Sequence, residues 1–256
     1  MEMAIGGRAS RDVSRWFYAW MALACMAVAV LGFMPTYFMP MVQGRFAAPP
    51  IVHIHGMLFF SWTVLFCVQT WLVASGGTLA HRSWGLLGIS IVTAMVFMTL
   101  AVVVEGINRS EAQGFGFEKR AFAWIQVSGM AFFGTVFTLA IVNLRKADVH
   151  KRLMLLATIS LLDAPIARWF LTVLAPPPPA EGFAPPPPVF VSVPPAIVAD
   201  LLLVAAIVYD WRTRGRPHPV YLVGGACLLA LQLTRVPVSS TAAWQAIAGW
   251  IGAIGG

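Results

Sequence analysis

Two histidines, each followed by a basic residue, open two of the apolar helices that the sequence predicts. His81-Arg82 begins one helix and His150-Lys151 begins the other, and a Leu-Leu pair follows each histidine at the same offset. Imidazole nitrogens are axial ligands of haem iron, and helix bundles commonly supply them from facing helices. The pair predicts one b-type haem that serves electron transfer, with Arg82, Lys151 and Arg152 at its propionates. Alternatively, the two basic pairs are topology anchors that contact lipid phosphate.

A second candidate site lies at the start of another predicted helix, where Met57 follows His53 and His55. Imidazole and thioether ligands suit copper, particularly Cu(I). Side chains two positions apart on an α-helix point about 200° apart, so both histidines reach one ion only if the helix begins after His53. Methionine is also a common gap-filler in apolar helices, and copper therefore ranks behind haem as a cofactor.

Five charged residues within predicted membrane spans form the third group: Glu105, Asp163, Arg168, Asp200 and Arg235. Charge in hydrocarbon is costly, so such residues usually face a bundle interior and pair with one another. Asp200 is the deepest, and we expect the preceding Pro194-Pro195 to break or kink its helix. A broken helix beside a carboxylate is typical of transporters and proton relays. The alternative is a structural ion pair between Asp200 and either Arg168 or Arg235.

The composition shows which elements must position these residues. Hydrophobic residues make up 59% of the chain and charged residues 11%, against about 25% charged residues in soluble domains. Several apolar stretches exceed the roughly 20 residues that a membrane-spanning helix needs. We therefore predict an all-α polytopic membrane protein with seven spans, at about 16–40, 51–75, 83–105, 120–144, 150–174, 188–211 and 219–236.

Similar sequences in two places predict a duplicated helix-hairpin core within a single membrane domain of residues 1–256. Gly56-Met57-Leu58-Phe59-Phe60 is echoed by Gly129-Met130-Ala131-Phe132-Phe133, which gives repeats at about 51–105 and 120–174. The proline-rich segment 175–188 cannot be helical, because proline lacks the N–H group, and is predicted to be an extended outer loop. A short helix at about 239–254 is predicted to lie at the membrane interface.

The distribution of basic residues predicts the orientation. Of the 17 lysines and arginines, 11 fall on the side that holds the N-terminus: Arg8, Arg11, Arg15, Arg82, Arg145, Lys146, Lys151, Arg152, Arg212, Arg214 and Arg216. By the positive-inside rule, we predict that the N-terminus lies in the cytoplasm and the C-terminus outside. The net charge of +7 does not indicate nucleic-acid binding, because the basic residues lie in short loops.

The sequence leaves two functions open and carries no motif that supports an enzyme. It has no P-loop, dinucleotide fingerprint, zinc-protease motif or nucleophile elbow. The first hypothesis is haem-based electron transfer, with a quinone or a membrane protein as partner. The second is a non-redox transporter or accessory subunit in which the intramembrane Asp and Arg residues form the working network. In both cases the lipid bilayer is the surrounding partner.

The motifs also resemble known families. The segments from His53-Ile-His55-Gly56 through Gln69 to His81-Arg82-Ser83-Trp84-Gly85, and from His150-Lys151-Arg152-Leu153-Met154 to Arg168-Trp169, resemble a bacterial multi-pass inner-membrane family with a domain of unknown function. The resemblance covers about the second to fifth spans and extends weakly to the Trp244–Trp250 tail. A looser likeness to four-helix diheme cytochrome b proteins implies histidine ligands at helix ends. The first resemblance implies a bacterial inner-membrane protein, and the second implies haem at His81 and His150.

Overall fold

The computed structural model of the protein describes residues 2–174 and 185–255, with side chains from Trp16 onward. The described residues are 85% helical and contain no strand. Most of the predicted proline-rich loop lies outside them. The main helices are α1 (Glu2–Phe33), α2 (Pro50–Ala74), α3 (Thr78–Glu111), α4 (Gly116–Val142), α5 (Ala147–Ile159), α6 (Asp163–Leu174), α7 (Val193–Arg214), α8 (Pro219–Leu233), α9 (Arg235–Ser239) and α10 (Ala242–Ala253).

Six helical segments in the described residues are long and apolar enough to cross a membrane: Trp16–Val42, Pro50–Ala74, Thr78–Glu111, Gly116–Val142, Ala147–Leu174 and Val189–Arg214. Large apolar side chains such as Trp20, Leu86 and Phe97 are exposed on their outer surfaces, as expected of helices that face lipid. The helix in the predicted seventh span, α8, has only 15 residues. The described residues therefore contain six span-length helices, one fewer than the seven predicted spans.

The first five of these segments form a closed ring. α1 packs against α2, α2 against α3, α3 against α4 and α4 against α5, and the ring closes where α5 and α6 pack against α1. α7 and α8 lie outside the ring against α5, and α10 packs against α3 and α4. Because consecutive helices alternate in direction, the ring has two ends, which we call the His81 end and the Pro50 end after the residues near them.

Two irregularities interrupt the ring helices. α1 continues through a π-helical turn at Met34–Phe38, which includes Pro35, before one last helical turn. The fifth segment breaks at Ser160–Leu162, between α5 and α6. Pro165 explains this break, because it has no N–H to donate to the carbonyl of Leu161 four residues earlier.

The break predicted at Pro194-Pro195 was wrong. These prolines occupy the first turn of α7, where the N–H groups have no intrahelical partner and the fixed φ of proline suits the helix. α7 is continuous from there to Arg214 and ends at Gly215, whose φ of 75° is typical of a glycine at a helix C-terminus. The broken helix is thus the fifth segment rather than the sixth.

Candidate ligand-binding cavity

The ring encloses a cavity of about 470 Å³ on its Pro50 side, and every helix of the ring lines it. Its wall includes several aromatic residues, among them Phe33, Tyr37, Phe59, Phe60 and Phe122. Toward the His81 end the ring centre is filled by an aromatic plug of Trp62, Phe66, Phe133 and Phe137, all buried. The plug rings make edge-to-face contacts, with centroids 5.3 Å apart for Trp62–Phe133 and 5.6 Å for Trp62–Phe137. Tight aromatic packing therefore closes the cavity toward the His81 end.

Arg168 is the cation of this cavity. It lies on α6, lines the cavity and is exposed there rather than packed away. Its guanidinium carbon lies 5.5 Å from the centroid of the Phe33 ring, a cation–π distance. Among the described residues, no carboxylate lies within 4.0 Å of its nitrogens. Its charge is thus balanced by no acidic side chain in that part of the chain.

Three buried polar atoms in the cavity wall also lack a hydrogen-bond partner within the described part of the chain: Thr36 Oγ1, His55 Nδ1 and Gln126 Oε1. They come from the π-helical turn, α2 and α4. Buried polar groups in native proteins are nearly always hydrogen-bonded, so each such exception calls for an explanation such as a bound water, ion or ligand. By contrast, the hydroxyls of Thr63, Thr99 and Thr158 donate to carbonyls of their own helices.

Three of the other intramembrane charges, Asp163, Asp200 and Arg235, have partners. Arg235 donates to Asp163 at 2.6 Å and to the carbonyl of Ser192 at 3.1 Å. Asp200 accepts from Gln232 Nε2 at 3.2 Å rather than pairing with Arg168 or Arg235. Glu105 is exposed on α3, which continues past it to Glu111. Asp163 also lines the cavity, so the structure brings Asp163 and Arg168 of the predicted network to one site and leaves Asp200 and Glu105 out.

The two glycines of the repeated motif lie in the cavity wall. A Cβ atom built on Gly56 or on Gly129 would meet no neighbouring heavy atom within 4 Å in the described part of the chain, and both glycines line the cavity. Their missing side chains leave space between α2 and α4. The Gly-Met-x-Phe-Phe match was interpreted only as evidence of duplication, but its two glycines also mark the cavity wall.

The residues predicted to bind copper point in different directions. α2 begins at Pro50, before both histidines, so the condition for a shared ion is not met. His53 Nδ1 is 2.9 Å from the Tyr37 hydroxyl, whereas His55 lies against Phe59, with ring centroids 4.3 Å apart. Met57 is 63% exposed. Of these three, only His55 lines the cavity.

The structure does bring the predicted haem ligands together. The rings of His81 and His150 meet at the His81 end with centroids 6.4 Å apart and planes at 78°. His150 Nδ1 lies 2.9 Å from the carbonyl oxygen of Ala140. Since a carbonyl only accepts, Nδ1 carries the proton, and the Nε2 lone pair of a neutral His150 is free to bind a metal. His81 Nδ1 is buried without a hydrogen-bond partner in the described part of the chain.

A buried charge cluster that the sequence analysis missed lies at the same end. Arg152, 2% exposed, donates to both oxygens of Asp210, which is fully buried, at 2.8 and 2.5 Å. It also donates to the carboxylate and, at 2.7 Å, to the carbonyl of Asp148. Four of the five N–H donors of Arg152 are therefore occupied, which leaves little capacity for a propionate. Lys151 pairs with Asp148 at 3.2 Å, whereas Arg82 is exposed.

His218 borders this cluster in the turn between α7 and α8. Its Nδ1 accepts the backbone N–H of Val220 at 3.1 Å and so caps α8. Burial and the nearby charges of Arg152 and Arg214 lower the pKa of His218 below its ordinary value, against the opposing effect of Asp148 and Asp210. The neutral imidazole is therefore the form that the fold stabilises.

These features define a multi-pass helical membrane protein whose helix ring encloses an amphipathic cavity. Comparisons with models of protein families, with curated proteins and with solved structures found no match. The function must therefore be inferred from the chemistry of the site itself.

Proposed function

We propose that the protein binds a small amphipathic anion in its central cavity and that Arg168 recognises the acidic group. The observation that carries the proposal is the arginine that lines the cavity without a carboxylate partner in the described part of the chain. Because charge in hydrocarbon is costly, an intramembrane arginine is expected to be paired. Arg152 and Arg235, which are buried, meet this expectation with Asp210 and Asp163. A bound anion would supply the missing partner of Arg168.

The remaining wall supports a ligand with a polar head and an apolar body. Thr36, His55 and Gln126 present unpartnered atoms in the same cavity wall as Arg168. The amide of Gln126 can turn its donor inward, because rotation about its last side-chain bond exchanges the oxygen and the nitrogen. Aromatic rings form much of the rest. The volume of about 470 Å³ lies within the roughly 300–1,000 Å³ of small-molecule sites. This is a binding or carrier function without redox chemistry.

The experiment measures binding of isotope-labelled octanoate to the purified protein in lipid nanodiscs, with octanol as a neutral probe of equal length. Hydrogen bonds to charged groups contribute about 1.5–3 kcal/mol, so we expect Arg168→Gln to weaken octanoate binding at least about tenfold. Octanol binding should change little. Arg168→Lys retains the charge and should retain much of the affinity, and Arg82→Gln is the matched control at an exposed arginine. Equal octanoate binding by wild type and Arg168→Gln would refute the proposal.

A second candidate function follows from the geometry of the two histidines at the other end. We propose that His81 and His150 are axial ligands of one b-type haem. A metal held about 2.0 Å from each imidazole nitrogen keeps the two ring centres about 6 Å apart, and the observed centroid distance is 6.4 Å. The hydrogen bond from His150 to Ala140 is typical of metal-bound histidine. The spacing of the two rings supports two ligands to one iron, and the exposed Arg82 would be the basic side chain left to contact a propionate.

An absorption spectrum of the detergent-purified protein, recorded before and after dithionite, tests this second function. Haem bands that shift on reduction, disappear in His81→Ala and His150→Ala, and persist in His53→Ala would support it. A featureless spectrum from cells supplied with haem precursor would exclude it. Neither result bears on the binding of octanoate at Arg168, because the aromatic plug separates the two sites.

We further propose that the chain crosses the membrane seven times and that its N-terminus lies in the cytoplasm. α8 begins beside Asp148 at the His81 end, and Arg235, just after α8, contacts Ser192 at the start of α7. α8 and α9 together thus run alongside α7, which supports a seventh crossing. The distribution of Lys and Arg supports a cytoplasmic N-terminus, and the family resemblance supports a bacterial inner membrane. The duplicated core and the family resemblance remain predictions.

A further inference from the structure

A groove lies on the outer face of the ring, between α3 and α4. Ten residues line it: Val96, Thr99, Leu100, Val127, Met130, Ala131, Gly134, Thr135, Thr138 and Leu139. Leu100 is 41% and Leu139 47% exposed, so the groove has an apolar rim on a helix pair long enough to cross the membrane. Gly134 lines this groove, and a Cβ atom built on it would meet no described heavy atom within 4 Å. The groove therefore has an apolar rim and open space at Gly134 for an apolar chain.

Two residues belong to both the groove and the central cavity. Thr99 on α3 and Met130 on α4 line the cavity and the groove alike, and both are buried, at 5% and 7% exposure. Thr99 donates its hydroxyl to the carbonyl of Met95 at 2.8 Å, which fixes its side chain. Methionine has three flexible torsions and fills irregular gaps, so Met130 is able to move aside at low cost. One fixed and one adaptable side chain thus lie between the cavity and the groove.

We propose that Thr99 and Met130 form a lateral portal through which the tail of the bound amphiphile extends from the cavity into the groove. The inference rests on the function proposed above and specifies its substrate class: a molecule with one acidic head and one long apolar chain. The head lies at Arg168, and the chain leaves between α3 and α4 along Leu100 and Leu139. Such a ligand enters from the bilayer, where it is already concentrated, and its tail never loses an apolar environment.

Chain length distinguishes this arrangement from a closed cavity. A closed cavity of about 470 Å³ selects against chains that outgrow it, because overpacking a filled site is destabilising. With a portal, the extra methylenes lie in the groove. We therefore expect octanoate and hexadecanoate to bind the wild-type protein in nanodiscs equally well when affinity is expressed per mole fraction in the bilayer.

Two glycines of α4 provide matched variants, since both have open space where a side chain would lie. Gly134→Leu fills the groove, and we expect it to weaken hexadecanoate binding at least about tenfold and to leave octanoate binding unchanged. Gly129→Leu fills the cavity and should weaken both. Octanoate binding by Gly134→Leu also verifies that this variant is folded, and Thr138→Leu, which fills the groove from another position, should repeat its effect.

The outcomes separate this inference from the proposed function. If the wild type binds octanoate through Arg168 and rejects hexadecanoate, or if Gly134→Leu and Thr138→Leu leave hexadecanoate binding intact, the portal is refuted and the cavity function stands. If neither alkanoate binds, both proposals are refuted. Length-independent binding that becomes length-dependent in the groove variants establishes the portal.

Discussion

The buried carboxylate of Asp210 and the half-buried carboxylate of Asp200 lie ten positions apart on α7 and should respond very differently to the same substitution. Asp210→Asn removes the charge that compensates Arg152, whose side chain is 2% exposed. Removing one partner of a buried ion pair costs about 3–5 kcal/mol. Asp148 also contacts Arg152 and still compensates part of its charge. We therefore expect the free energy of unfolding to fall by about 3 kcal/mol, the lower end of that range.

Asp200→Asn is the matched control. The asparagine retains an oxygen that can accept from Gln232, and no cation within ion-pair distance loses its partner in the described part of the chain. The expected change in the free energy of unfolding is below about 1 kcal/mol. Thermal unfolding in detergent measures both variants. At about 2–4 °C per kcal/mol, Asp210→Asn should lower the Tm by about 6–12 °C, with little change for Asp200→Asn.

A double variant tests the cause of the loss. Replacing both partners, with Asp210→Leu and Arg152→Met, leaves no uncompensated charge and should restore much of the stability, because apolar pairs often substitute well for buried ion pairs. Equal loss in Asp210→Asn and Asp200→Asn would refute the reasoning. So would a double variant that is no more stable than Asp210→Asn.

Two further predictions concern the helix contacts. Gly32→Ala should lower the Tm by about 2–12 °C, because a Cβ atom at Gly32 would lie 2.6 Å from the backbone carbonyl oxygen of Pro165, which cannot easily move away. Gly134→Ala, at a position with open space, should leave the Tm unchanged. Equal Tm values for these two variants would contradict the packing. Acidification below about pH 6.5, the ordinary pKa of histidine, should destabilise the protein as His218 gains a proton and loses the cap to Val220. The folded state disfavours that proton, so stability is retained above this pH and lost as the pH falls through the lowered pKa. His218→Asn, which still caps α8, should show a smaller drop in Tm between about pH 7 and pH 5, and an equal drop in both proteins would exclude His218 as the cause.

The sequence predicted the helices well where length and hydropathy determine them. The six span-length helices follow from apolar stretches, and the helix Ala242–Ala253 falls within the short C-terminal helix expected at about 239–254. The predicted position of the broken helix was wrong. Pro165 and Pro194-Pro195 all lie in the first turn of a helix, but α6 follows α5 across the break at Ser160–Leu162 within one span, whereas α7 begins a new span. Hydropathy does not resolve where each helix begins, so it could not distinguish these two cases.

The site was harder to predict because it depends on contacts between distant helices. Arg168 and Asp163 were selected from the sequence as intramembrane charges and His55 as a copper ligand, and only the closed helix ring places all three around one cavity. His81 and His150 were correctly placed together, since the repeated His-basic pair fixes both at the same end of neighbouring hairpins. Asp210 was missed because, beside Arg212 and Arg214 at the end of a span, it reads as part of a solvated loop.

The most direct test of the central claim is mass spectrometry of the small molecules extracted from the protein after purification from its own membranes. The wild type, Arg168→Gln and the control Arg82→Gln would be compared at equal protein amounts. We predict that an anionic amphiphile is recovered with the wild type and with Arg82→Gln, and is lost from Arg168→Gln, because Arg168 lines the cavity and Arg82 does not. Equal recovery from all three proteins, or no enriched anion in any of them, would contradict the assignment of the cavity as an anion-binding site.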